Sequence, residues 1–464
     1  MKNIMRKILL TVAISCMPFI IGTAQAVDPS DPYARYTFNS DGGFERMGFG
    51  FAQPIITIIP GYTNADGDAY RPVVIIAGGY DPTKDYIGSF GQAAVADPDG
   101  MDGSGPTSAD SSTRHTDKVG NAVYFVDAVT GDLVARVRST ATTVSPRSDV
   151  TDSAMDDTDQ EVTSEHLKHS IPATVTIVDS QGDGITDRVY FVDVAGNIWR
   201  LDLIPPGAND EVAKNWKLNK FASLGVDGVS AAYDDNDRRF FNQIDVVRTR
   251  RPGTSKSVDA LLVGSGNIAN PKGDTEYGEN KFFVIYDENT QPTSRTLTAI
   301  TMSNLLNASA KENDDSYTYD GEGVQNGITG AIKGWYWDLE EDEKVVSAAT
   351  TINGVAYFTT IEASPDEVGC QAPEELPASY LYAFDMHTAE GRHVDSVVDG
   401  EVTYKSDRRE TISDGLAFQQ IDPFVTDGGD VSIILPGDEH GLQDSDGEGM
   451  KLKGAGSYWR TKDQ

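Results

Sequence analysis

The chain has 464 residues, with 38 Lys and Arg against 72 Asp and Glu and a formal net charge of −34. So acidic a protein is a poor match to nucleic acid or to an anionic membrane surface, and a good match to cations or a saline setting. Its two cysteines, Cys16 and Cys370, cannot staple the fold because Cys16 falls within an N-terminal leader; stability must come from a buried core.

Residues 1–26, MKNIMRKILLTVAISCMPFIIGTAQA, place three basic residues before an apolar run and end on Ala24-Gln25-Ala26. That order reads as a secretory signal cleaved after Ala26, and the apolar run from Ile8 to Gly22 is short for a membrane anchor. A lipoprotein reading at Cys16 fits poorly, because apolar residues continue well past it. The protein is therefore expected to be exported, with Cys370 left as a free thiol. After the leader, no stretch is long and apolar enough to span a bilayer. Residues 27–50 form a lead-in without strong periodicity, and 51–464 read as one body with no linker dividing it.

Beyond residue 50 helical periodicity is scarce, while short alternating runs bounded by Gly, Asp and Asn recur. Four share a pattern: AVYFVDAVTG from Ala122, RVYFVDVAGN from Arg188, KFFVIYDENT from Lys281 and SYLYAFDMHTAEG from Ser379. Each is an aromatic-rich strand, an aspartate and a polar turn. A recurring unit of this kind predicts an all-β fold of the β-propeller type, and at roughly 40–50 residues per blade the chain accommodates about seven blades. The uneven spacing predicts long loop insertions. Chief among them are 94–118 and 139–165, whose Asp, Ser and Thr content cannot bury apolar area and reads as mobile surface excursions. An irregular β-sandwich is the alternative.

Between two of these strands lies IVDSQGDGITDR, from Ile177 to Arg188, with three aspartates around two glycines. Counted from Asp179, the odd positions are Asp179, Gln181, Asp183, Ile185 and Asp187. Side-chain oxygens at positions one, three, five and nine, with the Ile185 carbonyl at seven, suit a hard cation such as Ca²⁺. The loop is not a full EF-hand, since position twelve is Tyr190 and strands flank it. Spacing alone leaves two readings open, a solvated acidic turn and a calcium loop. Asn64–Asp68 and Asp444–Glu448 offer alternating oxygens without an acidic ninth residue and read as solvated turns. The six histidines form no HExxH, Gly264-Ser265-Gly266 lacks the spacing of a nucleophile elbow, and Cys370 has no activating histidine. No catalytic residue is nominated, and the chain is not expected to be an enzyme.

Taken together, several segments resemble, in order, the C-terminal propeller region of the PilC/PilY family, which serves in type IV pilus assembly and sits at the pilus tip. They are GGYD at Gly78–Asp81 ahead of the Ala122 run, the block His169–Leu203, RRFF at Arg238–Phe241 and LLVGSGN at Leu261–Asn267. KGWYWDL at Lys333–Leu339 with KVVS at Lys344–Ser347, VAYFTT at Val355–Thr360 and SYWR at Ser457–Arg460 complete the series. The resemblance implies a modified β-propeller with Ca²⁺ held by Asp179, Gln181, Asp183, the Ile185 carbonyl and Asp187. It further implies a pilus biogenesis factor in which calcium binding and release balances extension against retraction, with adhesion or twitching motility as outputs. Expected partners are pilins, minor pilins or other pilus assembly proteins, and a host or abiotic surface. The expected location is the periplasm, outer membrane or cell surface.

Two departures stand out. Gln181 keeps an oxygen on a longer, uncharged arm, which is expected to lower affinity. Family members usually carry a long N-terminal region, whereas only residues 27–77 separate the leader from the first matched segment, as in a propeller-only relative or a shortened gene product. The competing functions are a free-standing adhesin or glycan-binding propeller and a quinone-dependent dehydrogenase. The second needs an adjacent-cysteine disulfide that this chain lacks.

Overall fold

The computed structural model describes residues 43–44, 46–63, 67, 69–81, 117, 119–140, 160–208, 210–225, 236, 238–269, 279–309, 324, 327–362, 378–398, 401–404, 408–413, 422–425 and 431–434. The leader, Cys370, the acidic run at 444–448 and SYWR at 457–460 lie outside them, as do most of both Asp/Ser-rich excursions and of the 64–68 turn. What is described is all-β, as the repeated strand–turn units predict. Four five-stranded sheets and two further hairpins are described; the expectation of about seven blades extends beyond these residues.

The chain divides into two compact units. In the first, β1 (Ile55–Thr63), β2 (Tyr70–Ala77), β3 (Ala122–Asp127), β4 (Leu133–Ser139) and β5 (Glu161–Ser164) follow one another across one sheet. All its pairings are antiparallel except β4 with β5. A second sheet runs β6 (Thr176–Val178), β7 (Arg188–Val192), β8 (Asn197–Asp202) and β9 (Lys217–Ser223). Ile59, Val73, Ile75 and Phe125 of the first sheet share one apolar core with Val189, Phe191, Trp199 and Leu201 of the second, and Trp216 closes it. Strands β3, β7 and β8 are buried at every residue; β3 and β7 are accordingly mostly apolar and aromatic, whereas β8, NIWRLD, alternates polar with apolar side chains.

The second unit contains β10 (Asp245–Arg250), β11 (Ser257–Gly264) and β12 (Lys281–Asp287), and β13 (Ile300–Thr301), which pairs in parallel with Ala222 and Ser223. Next come β14 (Leu306–Asn307), β15 (Gly334–Asp338), β16 (Glu343–Val345), β17 (Thr350–Ile352), β18 (Val355–Glu362) and β19 (Ala378–Asp385). They are followed by β20 (Val394–Val398), β21 (Glu401–Tyr404), β22 (Arg409–Ser413), β23 (Asp422–Val425) and β24 (Val431–Ile434). One sheet has the order β10-β11-β12-β15-β14. Another has β16-β18-β19-β22, with β17 paired to β18. Phe282 and Trp335 of the first of these sheets and Phe358 and Phe384 of the other share one core, and the Phe282 and Phe358 rings stack at 3.9 Å between centroids. Such pairs add about 1 kcal/mol beyond the area they bury.

The four repeats share one device. At the end of each aromatic strand an aspartate turns back and accepts backbone N–H groups of the turn. Asp127 takes Val129 and Thr130 at 2.7 and 2.8 Å, and Asp193 takes Ala195 and Asn197 at 2.9 and 3.1 Å. Asp287 takes Asn289 at 2.8 Å, and Asp385 takes His387 and Thr388 at 2.9 and 3.1 Å. These are Asx turns, in which the side chain satisfies donors that the reversing backbone leaves open. The second carboxylate oxygen is used differently in three of the repeats: for Tyr62 in Asp127, for the Trp199 indole in Asp193 and for Arg392 in Asp385. The repeated aspartate is therefore a folding residue.

Two of the segments that carry the family resemblance meet for a steric reason. A Cβ on Gly264, in LLVGSGN, would stand 2.3 Å from the Val345 side chain of KVVS, so only glycine lets these strands approach. The contact is held by Val345 N–H donating to the Ser265 carbonyl at 3.1 Å.

Beside β10 and β12, Glu288 accepts from Arg251, Lys256 and Lys333 at 2.6, 2.6 and 2.8 Å. Partial burial acts to raise this carboxyl, but the lysines outweigh it and bring it down to about 2 from 4.5. The stabilisation it provides is complete above pH 4.5 and disappears as pH falls toward 2. The stability difference between the wild type and Glu288→Gln is therefore expected to be constant above pH 4.5 and to shrink toward pH 2, read from urea midpoints across that range. A difference independent of pH would contradict the network.

Candidate metal centre

The acidic loop joins β6 to β7, which pair antiparallel from Val178 opposite Arg188. Its last residues are clamped. Thr186 N–H donates to the Ile58 carbonyl at 2.8 Å, and the Thr186 and Thr57 hydroxyls meet at 2.6 Å. The Asp187 backbone bonds to both Val178 and Leu203, at 3.0 and 2.8 Å. Thr186 and Asp187 are buried, whereas Gln181 through Gly184 are exposed. Gly182 and Gly184 have φ of +74° and +86°, the left-handed region in which a Cβ is strained, and this is what lets the chain coil tightly here.

Within the coil Asp179 accepts N–H groups of Gln181, Gly182 and Gly184 at 3.1, 2.6 and 2.7 Å. Burial acts to raise its carboxyl, but these donors outweigh it and hold it below the ordinary value. Asp183 accepts Ile185 N–H at 3.0 Å. Asp187 takes the Ser180 hydroxyl at 2.6 Å and the Ser180 N–H at 3.1 Å. Burial pushes the Asp187 carboxyl up; Ser180 and Arg188 pull against this, and the charge of Asp179 adds to it. The mutual repulsion of the aspartates is thus relieved in part by backbone N–H groups of the loop. The Gln181 side chain is exposed, and Ile185 is half-buried.

Asp179 and Asp187 come near enough to feel each other's charge, but among the described residues no three His, Cys, Asp or Glu side chains gather round one point. The donor set is all oxygen and carries three negative charges on a glycine-bearing turn, chemistry that fits Ca²⁺. Ser180 and Arg188 were not legible as partners of this loop. Ser180 occupies an even position, and Arg188 reads from sequence as the first residue of a strand. Yet the Arg188 Nε donates to the Ser180 hydroxyl at 2.8 Å and its Nη1 to the Tyr190 hydroxyl at 2.9 Å.

No family model matches the chain. The type IV pilus biogenesis factor PilY1 of Pseudomonas aeruginosa (strain UCBPP-PA14) is 28% identical over 159 residues. That match spans 32% of this chain and 14% of PilY1's length. The crystal structure of the Pseudomonas aeruginosa PilY1 C-terminal domain superposes with a TM-score of 0.51 at 16% identity, covering 85% of this chain and 72% of that domain. This chain is PilY1-like. The structural likeness is one of fold, and it is to the propeller domain that the sequence segments pointed to. A quinohemoprotein alcohol dehydrogenase from Comamonas testosteroni aligns at a TM-score of only 0.29 and 9% identity, a likeness too slight to bear on chemistry. Among the described residues of the PilY1-like chain no helix is long and apolar enough to cross a membrane.

Proposed function

We propose that this PilY1-like chain is an exported, pilus-associated factor whose acidic loop takes up Ca²⁺ and which acts through binding to pilus assembly proteins rather than through catalysis. The observation that carries the reading is the loop itself: three aspartates on one glycine-bearing turn within a PilY1-like sequence and fold. Asp179, Gln181, Asp183, the Ile185 carbonyl and Asp187 would hold the ion, which supplies two positive charges to a turn that otherwise concentrates negative ones. A metal at this place orders a local turn between two strands of one sheet and biases a partner-binding surface without creating the fold.

Asp183→Ala removes a ligand and a charge, whereas Asp187→Lys places a cation beside the remaining carboxylates and mimics occupancy. The two substitutions are expected to shift surface piliation or twitching in opposite directions while export stays normal. Unchanged piliation in both would leave any bound ion a purely structural role.

A further inference from the structure

Past the loop, a polar layer continues across one face of the second sheet. Arg188 and Asp202 stand opposite each other in the β7–β8 register, as do Tyr190 and Arg200, so all four side chains share a face. All four are buried. Arg188 lies between two acids: its Nε is 3.8 Å from Asp187 of the loop, and its charge acts on Asp202 across the strand pair. Arg200 binds Asp202 through Nε and Nη2, at 3.0 and 2.6 Å.

That layer in turn holds a strap, Gln291–Ala299, which belongs to the first unit although β12 and β13 flank it in sequence. Arg200 Nη2 donates to the Gln291 carbonyl at 2.8 Å, and Thr293 N–H donates to Asp202 at 3.2 Å. Leu297 N–H donates to the Asn219 side chain at 2.9 Å, and Asn219 returns a bond to the Arg295 carbonyl at 3.2 Å. The Gln291 amide also reaches the Ser180 carbonyl inside the loop, with a long bond of 3.4 Å. Ser180 is thereby the shared atom set: its hydroxyl bridges Asp187 and Arg188, and its carbonyl meets the strap.

We propose that Ser180 and Arg188 are positioning residues that convert the charge state of the acidic loop into the order of the 291–299 strap. This deepens the calcium reading and rests on it for the natural signal. Where no cation is bound, Arg188 divides its compensation between Asp187 and Asp202. A cation at Asp187 takes over one share, so Arg188 turns fully to Asp202, the group that holds Thr293 and, through Arg200, Gln291. Ion and strap then stabilise one another, and such coupling is reciprocal.

The test is hydrogen exchange by mass spectrometry on the full chain, with calcium chloride or with chelator, beside calorimetry of calcium binding. Calcium is expected to slow exchange in peptides covering 291–299 by roughly fivefold or more, while the 127–134 turn stays unchanged. In Ser180→Ala calcium still binds, but less than half of that protection is expected to remain. Heat of binding in the wild type with no change in the strap overturns the coupling and leaves the calcium reading standing. Absence of heat overturns the calcium reading instead. The coupling is then decided by Ser180→Ala without calcium: faster strap exchange than in the wild type supports it, and equal exchange overturns it.

Discussion

Replacing Asp193 by alanine is expected to cost about 3–5 kcal/mol of stability, one of two large single-residue effects expected among the described polar residues. The carboxylate is fully buried. Its Oδ1 accepts Ala195 and Asn197 N–H groups, and its Oδ2 accepts the Asn197 amide at 3.0 Å and the Trp199 indole at 2.8 Å. Truncation would leave these donors in a dry core with no acceptor, and each such orphan costs about 1–3 kcal/mol. Asp193→Asn keeps one acceptor oxygen and is expected to lose about half as much. Urea midpoints of the three proteins decide the matter, and a loss below about 1 kcal/mol for Asp193→Ala would show that the turn does not depend on its aspartate.

Glu343→Ala is the second. This carboxylate is fully buried on β16 and binds the Thr360 hydroxyl, the Tyr382 hydroxyl at 2.9 Å, Glu340 N–H at 3.0 Å and Arg409 at 3.1 Å. Burial pushes both the Glu343 carboxyl and the Tyr382 phenol above their ordinary values, and their proximity adds to the latter. Three strands, β18, β19 and β22, send a side chain to this one group, so its loss strands a partner on each and is expected to cost about 3–5 kcal/mol. Glu343→Gln retains an acceptor and should cost less than half of that. Adding Tyr382→Phe to Glu343→Ala should then cost little more, because the phenol has already lost its partner. Full additivity in that double-mutant cycle would contradict the network.

How far the sequence could be read differs between fold and site. The all-β class was legible because AVYFVD, RVYFVD, KFFVIYD and YLYAFD repeat the same strand and turn, and each aspartate has the same local task. A side chain bonding two residues ahead leaves a local signature. Division into two compact units was not legible, since no linker marks it: the strap at 291–299 leaves the second unit and returns to it within nine residues. For the loop, Asp179, Asp183 and the two glycines were legible from spacing. The roles of Ser180, Arg188 and Gln291 were not, because they depend on contacts across strands and, for Gln291, across 111 residues. The first residue of a strand ordinarily reads as a register marker, and nothing in RVYFV marks its arginine as buried between two acids.

The measurement that bears most directly on the central claim is calorimetric titration of calcium into the wild-type chain and into Asp187→Ala. One ion is expected to bind per wild-type chain, with an affinity of roughly micromolar to millimolar, and binding is expected to be greatly weakened in Asp187→Ala. No heat above background in the wild type, or equal binding by both proteins, would contradict it.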